Sequence, residues 1–349
     1  MLKVETSAAA WSPCPDRFVT EGYRSNCSWG KDALDQLTKV NGLTGIGVGW
    51  GSLSSKNPEM TDSKFINGGY ISRDAWPLAP VEDLDWLFNY CKEKNLGIGT
   101  IAPDTYQSPI FKNGTLMNRD PAIRRLFIEH MKQGLDLAAT IPGCDVLVWL
   151  AHDGYDYPFE DDYRVRWAWL IEGLQEICEY NKDVKVTIEY KTKEPRTRQY
   201  ISDYGKSLFI CKETKADNLG IVVDIGHSLF AGENPSEAVD IVSYYGKLNH
   251  IHMNDNYRSW DDDLFPGAIH FWETLEMFYV LNKYNYDGWY NMDVWPTRVD
   301  GHKIVQEGID RIYMFDRLAK TLPIETITKM QAENDTIGVQ KLVRELTIK

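Results

Sequence analysis

Val184-Lys185-Val186-Thr187-Ile188-Glu189 and Gly220-Ile221-Val222-Val223-Asp224 bracket an amphipathic stretch, 198–212, of helical length. Each run is short, β-branched and closed by a carboxylate. Such runs suit strands buried on both faces of a parallel sheet, where neighbouring strands are joined by a crossover helix. Outward from this unit the alternation continues. Further strand-like runs fall at 17–23, 45–50, 96–101, 146–150, 248–253 and 289–294, with 17–23 the least regular. Helical patterns fall at 31–40, 80–94, 120–139, 163–180, 235–245 and 271–284. Eight such strands alternating with helices predict an α/β fold, a (β/α)8 TIM barrel. An open doubly wound sheet is the competing architecture, but no G-x-G-x-x-G follows an early strand. Beyond residue 317 the pattern turns to a polar helical tail. The expected organisation is a catalytic barrel over 1–317 and a helical C-terminal extension over 318–349.

Composition narrows the function classes. Of 349 residues, 43% are apolar and 26% charged, a mixture that buries a large core without staples. Lys+Arg is 38 against Asp+Glu 51, so the net charge of −13 argues against a partner held by nucleic-acid phosphates. The cysteines (Cys14, Cys27, Cys91, Cys144, Cys178 and Cys211) form no C-x-x-C pair, and Cys144 and Cys178 read as packing residues. No signal-peptide pattern occupies residues 1–10, and no apolar run approaches a membrane span. The expectation is a cytoplasmic protein with no membrane partner, assembled as a dimer or tetramer of itself.

Chemistry gathers at the carboxyl ends of the last four predicted strands, which carry Glu189, Asp224, His252 and Asp293. A barrel brings such ends to one mouth, where active sites of this architecture sit. Each residue alone is an ordinary loop acid, helix cap or core histidine. Together, three carboxylates and an imidazole would repel one another unless a cation joined them. Oxygen and nitrogen donors suit Mn²⁺ first, with Mg²⁺ or Co²⁺ as alternatives. His227, Asp261 and Asp263 face the same mouth from loops and suggest a second divalent cation. His250 is read as a supporting residue outside the ligand set. Trp50 and Trp149 end the second and fourth strands, where an aromatic face can stack on a sugar or simply join the core. His130 is expected on the surface of its helix, and His270 and His302 lack supporting neighbours in the sequence.

These segments resemble the xylose isomerase-like sugar isomerases. Glu189-Tyr190-Lys191-Thr192-Lys193-Glu194-Pro195-Arg196 is similar to the family's E-P-K-P-x-E-P-R, and Gly226-His227-Ser228-Leu229-Phe230-Ala231-Gly232-Glu233-Asn234 to G-H-x-x-x-A-G-x-N. Gly246-Lys247-Leu248-Asn249-His250-Ile251-His252-Met253-Asn254 resembles G-K-L-x-H-I-D-L-N, and Asp293-Val294-Trp295-Pro296-Thr297-Arg298 matches D-x-x-P-x-R. Ser108-Pro109-Ile110-Phe111-Lys112-Asn113-Gly114 is similar to the loop after the third strand.

The resemblance implies a two-cation site. Glu189, Asp224, His252 and Asp293 would hold one ion, and His227, Asp261 and Asp263 the other, with Asp224 shared. Lys191 would hydrogen-bond the substrate carbonyl, and the reaction would be aldose–ketose isomerisation of a free monosaccharide by 1,2-hydride shift. Two departures stand out. His252 replaces the family's aspartate, which is similar to its rhamnose isomerase branch and to ketose 3-epimerases, and no histidine follows the second strand to open the sugar ring. His152, beside Asp153 on the loop after strand four, is the candidate for that proton transfer because its ordinary pKa lies near neutrality. The alternatives are a one-metal sugar epimerase or lyase working by proton abstraction, an endonuclease, which the acidic charge disfavours, and a sugar-binding protein without catalysis.

Overall fold

The structure is a computed structural model that describes residues 2–11, 14, 17–20, 22–23, 30–50, 85–103, 105–106 and 109–348. In chain order its strands are β1 (Lys3–Thr6), β2 (Gly45–Trp50), β3 (Gly97–Pro103), β4 (Asp145–Val148), β5 (Gly154–Tyr155), β6 (Lys185–Glu189), β7 (Arg198–Gln199), β8 (Leu219–Asp224), β9 (Leu248–Met253) and β10 (Trp289–Met292). The helices are α1 (Gly30–Leu37), α2 (Asp85–Lys94), α3 (Pro121–Ala138), α4 (Tyr163–Tyr180), α5 (Tyr204–Thr214), α6 (Ile225–Phe230), α7 (Pro235–Tyr244), α8 (Phe271–Lys283), α9 (Gly301–Lys320), α10 (Ile324–Ala332) and α11 (Thr336–Thr347). Eight strands close a parallel barrel in the order β1-β10-β9-β8-β6-β4-β3-β2, and β5 pairs antiparallel with β7 beside the mouth. This is a (β/α)8 barrel with a helical C-terminal extension.

The barrel begins earlier than the apolar pattern suggests. Its first strand is Lys3–Thr6, and the described part of 17–23 is bend and turn. Lys3 and Glu5 break any apolar run there, and Glu5 is fully buried inside the barrel, so no surface periodicity marks the strand. Likewise Arg198–Gln199 joins the small sheet, and α5 starts only at Tyr204, capped by Asp203 through Lys206 N.

Alternation along each strand sorts the layers. Val186, Ile188, Ile221, Val223 and Ile251 belong to the apolar core with Phe127, Leu170, Leu174 and Phe278 of the helices. The inward residues are largely polar. Thr187 Oγ1 and Thr100 Oγ1 donate to Asp145, and His250 lies between Asp145 and Glu5. A barrel interior more often holds branched apolar side chains.

The amino-terminal end of the barrel is closed by Trp289. A Cβ on Gly45, Gly97 or Gly99 would meet its indole at 2.5, 2.8 and 2.7 Å, closer than carbon atoms approach one another. At the other end β8 runs straight into α6, with Asp224 as the last strand residue and the N-cap that accepts from His227 N at 2.7 Å. Among the described residues, no helix is long and apolar enough to cross a membrane.

Candidate metal centre

The carboxyl ends of β6, β8, β9 and β10 deliver Glu189, Asp224, His252 and Asp293 to one place. Each offers a ligand atom, and these atoms all lie within 4.8 Å of one another. His252 Nδ1 is the hub, 3.1 Å from Glu189 Oε1, 3.2 Å from Asp293 Oδ2 and 3.7 Å from Asp224 Oδ2. Glu189, Asp224 and His252 are buried, and Asp293 opens towards solvent. Burial, opposed by His227 and reinforced by the neighbouring Glu189 and Asp261 charges, pushes the Asp224 carboxyl up to about 7. A divalent cation would remove that penalty. Three carboxylates and one imidazole are the donor set of a hard to borderline ion such as Mn²⁺ or Mg²⁺, so these residues fit one.

A second group converges alongside. His227 Nε2 lies 3.2 Å from Asp261 Oδ2, while its Nδ1 lies 3.3 Å from Glu189 Oε1 and 3.9 Å from Asp224 Oδ1. Burial alone would lower the His227 pKa, but Asp224 and Asp261 hold it up at about 9. Lys191 Nζ reaches Asp261 Oδ2 and Glu194 Oε2, both at 2.7 Å. Burial would discharge this lysine, yet the carboxylates of Asp261 and Glu194 keep its pKa above the ordinary value. The other Asp261 oxygen, Oδ1, is buried with no hydrogen-bond partner among the described residues. Asp263 is drawn in through Asn254, whose Nδ2 lies 3.5 Å from its Oδ1. This second set is looser than the tetrad, which is the one group of four that meets within 4.8 Å among the described residues.

Lys191 Nζ stands 5.2 Å from the centroid of the Trp149 ring, and Trp149 packs on Tyr106 with ring centroids 4.8 Å apart. Trp149, Leu150, Glu189, Lys191, Gln199 and Ile201 line one cleft. The strand of Trp50 is described, but its side chain lies outside the described residues, as does Ser108 of the loop motif. His152 joins this rim, its Nε2 donating to the Tyr106 carbonyl at 2.8 Å. Asp153 does not orient it. That carboxylate is fully buried and accepts from Thr115 N, Thr115 Oγ1 and Met117 N, so it ties the loop after β3 to the loop after β4.

Two further expectations need correction. His130 is not on the surface: it is 3% exposed on the core face of α3, and burial pushes its pKa down to about 3. His270 does have neighbours, with Nδ1 2.7 Å from Asp255 Oδ1 and Nε2 accepting from Arg258 Nε. His250, read as a supporting residue outside the ligand set, is the centre of a buried cluster inside the barrel. Burial would lower its pKa, but Asp145 and Glu5 hold it at about 9.

Asn254 escaped the sequence reading. Its Oδ1 accepts from Gly226 N at 2.7 Å and its Nδ2 donates to Asp224 Oδ2 at 2.9 Å, so one amide fixes both the cap and a ligand. Its signal was parity, since it lies two residues beyond His252 on the same strand face. Glu233 was also missed. It accepts from Tyr190 OH, Ser228 Oγ and Tyr204 N, and so locks the segment between the two ligand-bearing strands.

Known proteins share this arrangement of strands. A profile of the family described as xylose isomerase-like TIM barrel matches residues 70–315. The xylose isomerase of Thermus thermophilus is 26% identical over 231 residues, which cover 64% of this chain and 58% of that protein. The chain thus spans little more than half the length of that relative. Among solved structures, an L-ribulose 3-epimerase superposes with a TM-score of 0.64 at 15% identity, covering 92% of this chain and 96% of its own. A D-tagatose 3-epimerase-like protein gives 0.63 at 18% identity, covering 89% and 98%. At such identities these two likenesses show the fold alone. The family profile spans most of the chain, and on that ground the protein belongs to the xylose isomerase-like TIM barrel family.

Proposed function

We propose that the protein is a metal-dependent isomerase that interconverts aldose and ketose forms of a free monosaccharide. The observation that carries this reading is the meeting of Lys191, His227 and Asp261 beside the carboxylate–histidine tetrad. Two divalent cations, Mn²⁺ foremost with Mg²⁺ or Co²⁺ as alternatives, would supply Lewis acidity to the carbonyl and to the alkoxide that develops during a 1,2-hydride shift. Glu189, Asp224, His252 and Asp293 would hold the first. His227, Asp261 and Asp263 would hold the second, sharing Asp224. Lys191 directs its ammonium at the sugar carbonyl oxygen and stabilises negative charge there. Trp149 walls the sugar and excludes water, and Trp50, at the end of β2, is the second aromatic assigned to the substrate. His152 passes the proton between the anomeric hydroxyl and the ring oxygen. In this reading residues 1–317 form the catalytic unit and 318–349 an appended tail, in a homo-oligomer. The name carried by the Thermus relative agrees with the reaction class.

A one-metal epimerase or lyase acting by proton abstraction is the second reading. The compactness of the tetrad against the spread of the second set favours it. Metal-loaded protein incubated in D₂O with a panel of aldoses and ketoses separates the two. A hydride shift gives isomerised product with little deuterium at C1 or C2. Extensive incorporation, or inversion at a single carbon, gives the function to the second reading. Asp261→Asn combined with Asp263→Asn should leave one ion bound and remove turnover; full activity in that variant would sink the two-cation mechanism.

A further inference from the structure

We propose that His250 is a positioning residue for His252, holding the metal-binding imidazole in place by ring contact where a hydrogen bond is missing. The inference rests on the reading of Glu189, Asp224, His252 and Asp293 as a cation site. A histidine that binds a metal through one nitrogen almost always donates its other N–H to a carboxylate, a carbonyl or a water, which fixes the ring. His252 presents Nδ1 to the three carboxylates, while its Nε2 is buried with no hydrogen-bond partner among the described residues. Beyond the Nδ1 contacts, packing is left to set the angle of the ring. The neighbour on that face of β9 is His250, whose ring meets that of His252 at 87° with centroids 5.5 Å apart. Such an edge-to-face contact restrains rotation about the side-chain torsions.

His250 can act as an abutment because it is held through Nδ1 and faces a carboxylate at Nε2. Nε2 lies at ion-pair distance, 3.1 Å, from Glu5 Oε1, without the geometry of a hydrogen bond. Nδ1 lies 3.1 Å from Thr100 Oγ1 and 3.4 Å from Asp145 Oδ2. Those partners are anchored in turn. Glu5 Oε2 accepts from Gly99 N, and Asp145 accepts from Thr100 Oγ1 and Thr187 Oγ1. The ring is therefore tied to β1, β3 and β4 across the barrel and, through Asp145, to β6, while its own backbone belongs to β9. Glu5, Asp145 and His250 are each at most 5% exposed, so no solvent reorganisation loosens the tie. A cluster that served only to hold strands together would have no need of an aromatic ring facing His252. The ring contact is what a positioning role requires.

The test uses the full chain and two readouts. The first is the long-range ¹⁵N–¹H spectrum of histidine rings in metal-free protein, with His252 assigned by its loss in His252→Gln. Seven histidines make this tractable. The second is calorimetric titration with Mn²⁺ alone. His250→Gln keeps a polar side chain but removes the ring. It should shift or broaden the His252 ring signals and weaken Mn²⁺ binding about 10- to 100-fold, the usual cost of removing a partner that orients a ligand. Thr187→Val loosens Asp145 without removing the His250 ring. It should lower the melting temperature and move both readouts much less than His250→Gln does. Glu5→Gln with His250→Phe restores an aromatic face and should recover part of the affinity. Unchanged His252 signals and an unchanged Mn²⁺ affinity in His250→Gln, with only the melting temperature lowered, overturn the proposal. So does an equal loss of affinity in Thr187→Val. If His250→Gln does not fold, Thr100→Val removes one Nδ1 partner and decides the same question by a smaller shift in the same direction. Wild-type protein that binds no Mn²⁺ would defeat the metal reading, and the ring signals would then judge the His250 contact on their own.

Discussion

Lowering the pH from 7 to 5 should destabilise the protein through His130, and replacing that residue with glutamine should remove this part of the loss. His130 sits on α3 among buried residues including Phe127, Met131 and Leu135, and burial lowers its pKa from 6.5 to about 3. Below 6.5 the unfolded chain takes up a proton that the folded chain refuses until the pH nears 3. The stabilisation is therefore complete above 6.5 and is lost as the pH falls through the window between the two values. One pH unit within that window costs about 1.4 kcal/mol, so the step from pH 7 to 5 costs about 2 kcal/mol once the partial titration near 6.5 is counted. For a chain of this size that corresponds to a fall in melting temperature of several degrees. The assay is guanidinium unfolding of wild type and His130→Gln at pH 7, 6 and 5. Acids elsewhere titrate in both proteins and cancel in the difference. Glutamine costs packing at every pH, so the wild type should lead at pH 7 and lose about 2 kcal/mol of that lead by pH 5. A stability difference that stays constant across the three pH values would refute the reasoning, because it would mean that His130 is solvated or ionised in the folded state.

Asp293→Asn should weaken Mn²⁺ binding at least tenfold and abolish isomerisation, since it takes away the one ligand of the tetrad that faces solvent while three buried groups remain; calorimetric titration checks the first and product analysis the second. Lys191→Met should lower turnover about 10²- to 10³-fold, with the bound-metal count intact by metal analysis, because it removes a preorganised charge. The same change leaves Asp261 without one of its two cationic neighbours, so a melting temperature below wild type should accompany it in metal-free protein. His152→Gln should slow reaction of a sugar that cyclises and spare a tetrose that cannot; equal effects on the two substrates would remove His152 from ring opening.

The parts of this protein that could be read from its sequence share one property: their periodicity and their chemistry coincide. β6 and β8 are apolar runs that end in a ligand, and β9 carries one beside its last residue, so strand and site announce each other at Glu189, Asp224 and His252. β1 carried no such mark, because its inward residue is Glu5 and four residues are too few for a pattern. The same blindness hid the interior cluster. Glu5, Thr100, Asp145, Thr187 and His250 are far apart in sequence, and each looks like a surface residue or a cap until the barrel closes. His130 misled for a simpler reason: a polar residue on an amphipathic helix is assigned to water by default, and only the packing of α3 against the barrel reverses that. Asn254 was the recoverable miss, since counting by two from His252 reaches it.

Trp289 and the three glycines beneath it constrain how this sequence can change. Because Gly45, Gly97 and Gly99 lie against the indole at distances that admit no side chain, none can gain even a methyl group while the tryptophan stays. A smaller residue at 289 would instead leave a hole in the floor of the barrel, with a cavity cost of several kcal/mol. Each single step is unfavourable, and only a paired exchange keeps the volume constant. Positions more than 190 residues apart along the chain should therefore vary as one unit among relatives, a small side chain at 289 accompanying alanine or larger at 45 or 97, while Gly99 stays fixed because Glu5 Oε2 also lies against its Cβ position.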